Sequence, residues 1–126
     1  MAKILVVDDE PDIVRFVAKL MTSRGHDVRT AADGFEALEL VAADHPDVII
    51  LDLHLPTMDG FEVCRRLKGD EATRRIPIVM MTAAYISMDD ARKGEDSGAD
   101  EYVVKPFLRE VLIHNVERLL ARDAAG

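Results

Sequence analysis

The chain has 126 residues, 48% of them hydrophobic and 32% charged, a length and apolar content that supply one buried core and too little chain for two domains. Repetitive and Pro/Ser-rich tracts are absent, and no apolar run approaches the roughly 18 residues of a spanning helix, so disordered and membrane-inserted classes are set aside. The formal net charge of −8 at pH 7 disfavours direct nucleic-acid binding, which draws its affinity from clustered Lys and Arg.

The opening MAKILVVDDEP lacks the apolar stretch of a secretory signal, so the expected location is the cytoplasm. Within it, KILVV (Lys3–Val7) reads as a first strand. EPD then opens a helix whose apolar positions Ile13, Phe16, Val17, Leu20 and Met21 predict one buried stripe, and SRGHD closes it. DVRTA (Asp27–Ala31) is the second strand, and DGFEA opens a second helix with Ala37, Leu38 and Val41 on its inner side. Residues 47–52, DVIILD, and 77–82, PIVMMT, are nearly all apolar, as central parallel strands covered on both faces are. Between them lies the lone cysteine, Cys64, which suits a reducing compartment and reads as a packing residue. The basic cluster Arg65, Arg66, Lys68, Arg74 and Arg75 is interrupted by Asp70 and Glu71 and reads as a solvated helix face. EYVV (Glu101–Val104) is a fifth strand, followed by a last helix with Leu108, Val111, Leu112, Val116, Leu119 and Leu120 as its stripe.

Strand then helix, repeated five times, predicts an α/β domain with a parallel sheet and helices on both faces. In such sheets ligands bind beyond the carboxyl ends of the strands. There the first strand runs into Asp8 and Asp9, the third ends in Asp52, the fourth in Thr82, and the fifth runs into Lys105 and Pro106. Each acid alone has an ordinary explanation: Asp8 and Asp9 as caps of the first helix, Asp52 as a turn residue. Their recurrence at successive strand ends favours a shared site. If the first and third strands are neighbours, the carboxylates converge and need a cation; an all-oxygen donor set with open positions suits Mg²⁺.

The segments ILVVDDEPD, DVIILDLHLPTMDG, PIVMMTA and GADEYVVKPF span nearly the whole chain, and through them it resembles the receiver domain of bacterial two-component response regulators. The resemblance implies the flavodoxin-like doubly wound (βα)5 fold with strand order 2-1-3-4-5, which the alternation alone leaves open, and a receiver over residues 1–122 with a short tail at 123–126. It implies that Asp52 is a phosphoacceptor, taking a phosphoryl group from a histidine kinase or phosphotransfer protein. Asp9 would bind Mg²⁺ directly, Asp8 largely through water, and the backbone carbonyl of His54 would complete the protein ligands. Lys105 and Thr82 would meet the phosphoryl oxygens with the N–H of Ala83, and Lys105–Pro106 would be a cis peptide. Tyr102 would report the event to a face built from the fourth predicted helix, the fifth strand and the fifth predicted helix, where a separate effector or output domain binds. Such a domain catalyses only its own phosphotransfer and dephosphorylation.

The chain departs from the family pattern in places. Between Thr82 and Lys105 it carries an apparent extra residue, Glu95 stands where relatives carry an apolar side chain, and YISM precedes the fourth predicted helix. His54 and Ala84 border the access route for water, and the open rim at Ala84 predicts ready self-dephosphorylation. Other functional classes are a receiver-fold scaffold working without phosphorylation, a small Mg²⁺-dependent aspartyl-phosphate phosphohydrolase, and a flavin carrier. The hydrolase lacks a second acid two residues after the nucleophile, where His54 stands. The flavin carrier lacks a Gly- and hydroxyl-rich phosphate loop, where DDEPD stands.

Overall fold

Two central strands buried at every position, Val48–Asp52 and Ile78–Thr82, dictate the architecture, because strands of that kind must be covered on both faces. The computed structural model describes residues 2–82 and 98–125, with the backbone alone for 123–125. In chain order the elements are β1 (Lys3–Val7), α1 (Pro11–Ser23), β2 (Asp27–Ala31), α2 (Gly34–Ala43), β3 (Val48–Asp52), α3 (Gly60–Lys68), β4 (Ile78–Thr82), β5 (Glu101–Val104) and α4 (Arg109–Ala125). All neighbouring strands are parallel, in the order β2-β1-β3-β4-β5, as the flavodoxin-like expectation has it. Here α4 is the fifth predicted helix. The fourth, with Ala83, Ala84, YISM and Glu95, lies outside the described residues.

Strand alternation divides the core in two. Leu5, Val7, Ile49, Leu51, Ile78 and Met80 meet α2 and α3, where Cys64 is buried as expected. Ile4, Val6, Ile50, Val79 and Met81 meet α1 and α4 on the other face. The predicted stripes on those two helices are narrower than their apolar spacing suggests. Val17, Leu20, Met21, Leu112, Val116 and Leu119 are buried, whereas Phe16, Leu108 and Val111 are 47%, 69% and 44% exposed. A sheet covers only a limited arc of each helix, and residues at the margin of a wide stripe fall outside it. Among the described residues no helix is long and apolar enough to cross a membrane.

The strands expected from residues 47 and 77 begin one position later, at Val48 and Ile78. Asp47 instead ties off the strand base, its carboxylate accepting from the Lys3 N–H at 2.8 Å, and Pro77 contributes only its carbonyl, to Ile49 at 3.0 Å. The basic cluster also divides. Arg65 and Arg66 are exposed and pair with Glu62 along α3. Lys68 is not a solvated residue: its ammonium donates to the carbonyls of Arg74 and Ile76 and to Asp100, at 3.1, 2.8 and 3.0 Å. Asp100 also accepts from the Ile78 N–H at 2.8 Å and from Arg122 at 3.3 Å, so one carboxylate joins α3, β4 and α4 below the sheet.

Burial pushes the Asp100 carboxyl up, but the Ile78 N–H, Lys68 and Arg122 outweigh it and hold the group below its ordinary value. Replacing it leaves partly buried donors unpaired. Asp100→Ala is expected to lower the unfolding free energy by about 1–3 kcal/mol in urea titrations at neutral pH. Because the folded pKa is depressed, that difference is complete above the ordinary carboxyl value of about 3.9 and fades as pH falls through the folded value.

Candidate functional site

The sheet order puts β1 beside β3, with Val7 opposite Leu51, so the residues that follow them leave the core side by side. Each strand end is pinned by one further backbone bond: Asp8 N–H to the Ala31 carbonyl at 3.1 Å, and Leu53 N–H to the Met81 carbonyl at 2.9 Å. Fixing the main chain up to the last apolar residue lets the next side chain be both held and turned toward the polar edge. Asp8 and Asp52 are buried there, while Asp9 is exposed.

Oxygen atoms of Asp8, Asp9 and Asp52 lie within 4.8 Å of one another. Lys105, the first residue after β5, reaches across β4 to them, its Nζ 2.9 Å from Asp8 Oδ2 and 3.3 Å from Asp52 Oδ1. Its own N–H donates to the carbonyl of Thr82 at 2.7 Å, and the Lys105–Pro106 peptide is cis. Thr82 is buried at the end of β4, one step beyond Met81, which pairs with Asp52. Tyr102 lies on β5 opposite Met80 and is 40% exposed. The His54 side chain is exposed. Ala83 lies outside the described residues. The structure thus draws Asp8, Asp9, Asp52 and Lys105 together, with Thr82 on the adjoining strand, and keeps Tyr102 on the exposed side of the sheet edge.

The acids do not serve as side-chain caps. At the start of α1 the cap position is Glu10, with no side-chain cap bond and Pro11 next. Asp8 instead accepts from the Glu10 N–H at 3.0 Å, a backbone contact that side-chain spacing does not signal. By contrast Asp33 and Asp59 do cap α2 and α3, accepting from Glu36 and Glu62 at 2.8 and 2.9 Å. The DxxE spacing common to both is the signal that separates a capping acid from a site acid.

Burial pushes the Asp52 carboxyl up to about 6, the charge of Asp8 adds to this, and Lys105 only partly opposes it. For Lys105, burial would lower the ammonium, but the bond to Asp8 and the charges of both acids outweigh it and hold it above its ordinary value. One lysine therefore serves two crowded carboxylates without satisfying them. A hard divalent cation bound through oxygen fits this donor set, and Asp8, Asp9 and Asp52 are the side chains that could hold it.

The loop that follows Asp52 carries local strain. Thr57 has φ 64, the left-handed region, which a β-branched residue adopts only at a cost.

The model of the family described as response regulator receiver domain matches residues 4–117. The DNA-binding dual master transcriptional regulator RpaA of Synechocystis sp. is 44% identical over 122 residues, 97% of this chain and 50% of that protein. Response regulator PleD of Caulobacter vibrioides is 44% identical over 118 residues, 94% of this chain and 26% of that protein. This chain therefore spans half the length of the first and about a quarter of the second. Among solved structures, the signal receiver domain of a signal transduction histidine kinase from Syntrophus aciditrophicus superposes with a TM-score of 0.92 at 32% identity, covering 96% of this chain and 91% of that one. The chemotaxis protein CheY4 of Vibrio cholerae does so with 0.86 at 36% identity, covering 94% and 98%.

Two stability measurements test the local account. Because the folded Asp52 pKa is raised from 3.8 to about 6, its ionisation opposes folding, and stability falls as pH climbs through that interval. In metal-free buffer above about pH 6.5, Asp52→Asn is expected to be more stable than the wild type by about 1–2 kcal/mol, a gain absent below about pH 4. Thr57→Asn, with a side chain that tolerates the left-handed region, is expected to add about 0.5–1 kcal/mol at any pH in the same urea titrations.

Proposed function

Because this chain belongs to the response regulator receiver family, we propose that it is a phosphoacceptor switch, with Asp52 taking a phosphoryl group from a histidine kinase or phosphotransfer protein. The observation that carries the reading is the convergence of three carboxylates within 4.8 Å while Lys105 contacts two of them. An Asp52 oxygen attacks phosphorus as the bond to the donor's imidazole nitrogen breaks. A P–O bond replaces the P–N bond, and the leaving imidazole takes up a proton from water. Phosphoryl transfer needs little covalent help, so positioning and charge neutralisation carry the catalysis. Mg²⁺, held by Asp8, Asp9, Asp52 and the His54 carbonyl, would supply positive charge to the phosphoryl oxygens. Lys105 is placed to exchange its contact with Asp52 for one with a phosphoryl oxygen while keeping Asp8 as its anchor. Thr82 supplies a hydroxyl from the end of β4, and the Ala83 N–H a second donor.

The product adds nearly two negative charges and three acceptor oxygens beside Thr82, enough to bias a two-state element. Tyr102 is the proposed reporter, and β5 with α4 and the fourth predicted helix the proposed partner face. The receiver occupies residues 1–122, although α4 runs on through the expected tail to Ala125. It works in the cytoplasm through a separate effector or output domain, and it catalyses only its own phosphotransfer and dephosphorylation. RpaA, a DNA-binding transcriptional regulator, is a relative with an output of that kind.

Intact mass after incubation with a small phosphodonor and Mg²⁺ tests this directly. The wild type is expected to gain the mass of one phosphoryl group, Asp52→Asn none, and Lys105→Ala far less over the same interval. Chelating the metal is expected to abolish labelling of the wild type. Equal labelling of Asp52→Asn, or labelling indifferent to chelator, would overturn the proposal.

A further inference from the structure

Leu53 is held from both sides. Its N–H donates to the Met81 carbonyl at 2.9 Å, and its carbonyl accepts from the N–H of Gly60, the first residue of α3, at 2.7 Å. The residues flanking Leu53 are Asp52 and His54, the proposed acceptor and the proposed carbonyl ligand.

Gly60 packs directly against this main chain. A Cβ at position 60 would lie 2.4 Å from the Asp52 carbonyl oxygen, 2.9 Å from Leu53 Cα and 3.1 Å from the Asp52 carbonyl carbon. These are backbone atoms of a strand end already paired with β4, so they cannot swing aside as a side chain can. Gly60 is not one of the positive-φ glycines, which among the described residues are Gly25 and Gly98. What position 60 needs is close approach, not a left-handed turn. A second glycine, Gly34 at the start of α2, bears on the same loop farther along: a Cβ there would lie 3.2 Å from Met58 Cβ.

We propose that Gly60 is a positioning residue for the cation and phosphoryl site: by seating α3 on the Asp52–Leu53 main chain, it sets how far the Asp52 carboxylate and the His54 carbonyl project from the sheet edge. This rests on the reading of Asp8, Asp9, Asp52 and His54 as Mg²⁺ ligands. A methyl group at position 60 has to push the strand end and the helix apart, and both ligands adjoining Leu53 move with the strand end. Mg²⁺ demands near-ideal octahedral geometry, whereas Ca²⁺ accepts irregular and variable coordination, so a displaced ligand pair penalises Mg²⁺ more. A glycine that served packing alone would not discriminate between the two cations.

The test titrates Mg²⁺ and Ca²⁺ separately into the wild type, Gly60→Ala and Leu67→Ala, following amide shifts by NMR. Leu67 is buried near the far end of α3, so its variant lowers stability without touching the Asp52 backbone. Gly60→Ala is expected to bind Mg²⁺ about tenfold more weakly, the range seen when a group supporting a ligand is disturbed, with a clearly smaller loss for Ca²⁺. Leu67→Ala is expected to stay close to the wild type for both. Wild-type Mg²⁺ affinity in Gly60→Ala, equal losses for the two cations, or a parallel loss in Leu67→Ala would each overturn the inference. If Gly60→Ala does not fold, hydrogen exchange of the Gly60 amide in the metal-free wild type decides. Protection matching the β3 amides supports the clamp, and exchange at the rate of an exposed loop refutes it. A wild type that binds no Mg²⁺ removes the proposed function and this inference together. A wild type that binds Mg²⁺ and accepts phosphate, beside an unaffected Gly60→Ala, removes this inference alone.

Discussion

Two carboxylates buried side by side are the constraint on which the rest of this structure depends. Asp8 and Asp52 leave adjacent strands side by side, both buried, and the Lys105 ammonium is shared between them. In a low dielectric such a cluster is short of positive charge, and burial with mutual repulsion pushes Asp52 toward protonation. The fold tolerates this because the remaining core is apolar and the strand ends are fixed. A bound divalent cation would relieve the same deficit that weakens the metal-free protein.

Placement of these groups is a property of the sheet rather than of the loops. The β1–β3 register brings Asp8 level with Asp52, and the β4–β5 pairing, with Thr82 opposite Val104, delivers Lys105 one residue later. Short backbone bonds extend each ladder past its last apolar residue. Main-chain bonds hold position more tightly than flexible surface side chains do, which favours the strand ends as the place for the clustered carboxylates and Lys105. The surface ion pairs, such as Lys3 with Asp44 and Arg24 with Glu117, add little to that precision.

Much of this was legible along the chain. Continuous apolar runs announced the two central strands, and acids or hydroxyls at their ends announced the edge where the polar groups cluster. Less legible were the limits of burial: Phe16, Leu108 and Val111 have the spacing of core residues and are exposed. Periodicity gives the direction a side chain takes from its helix, but not how far the neighbouring sheet extends beneath it. Lys68 is the reverse case, a member of a basic run that is drawn inward by Asp100 and the carbonyls of Arg74 and Ile76.

By itself, then, the sequence determined the kinds of element, their alternation, the polar residues at each strand end and, through its resemblance, the family. Those are local properties, set by side-chain chemistry and short-range spacing. Only the tertiary structure decided that Asp8, Asp9, Asp52 and Lys105 meet, that Glu10 offers its amide to Asp8, and that Gly60 presses on the Asp52 backbone. Contacts between residues far apart in the chain depend on strand order and register, which are fixed by how two helical layers cover one sheet. No window of neighbouring residues contains that information.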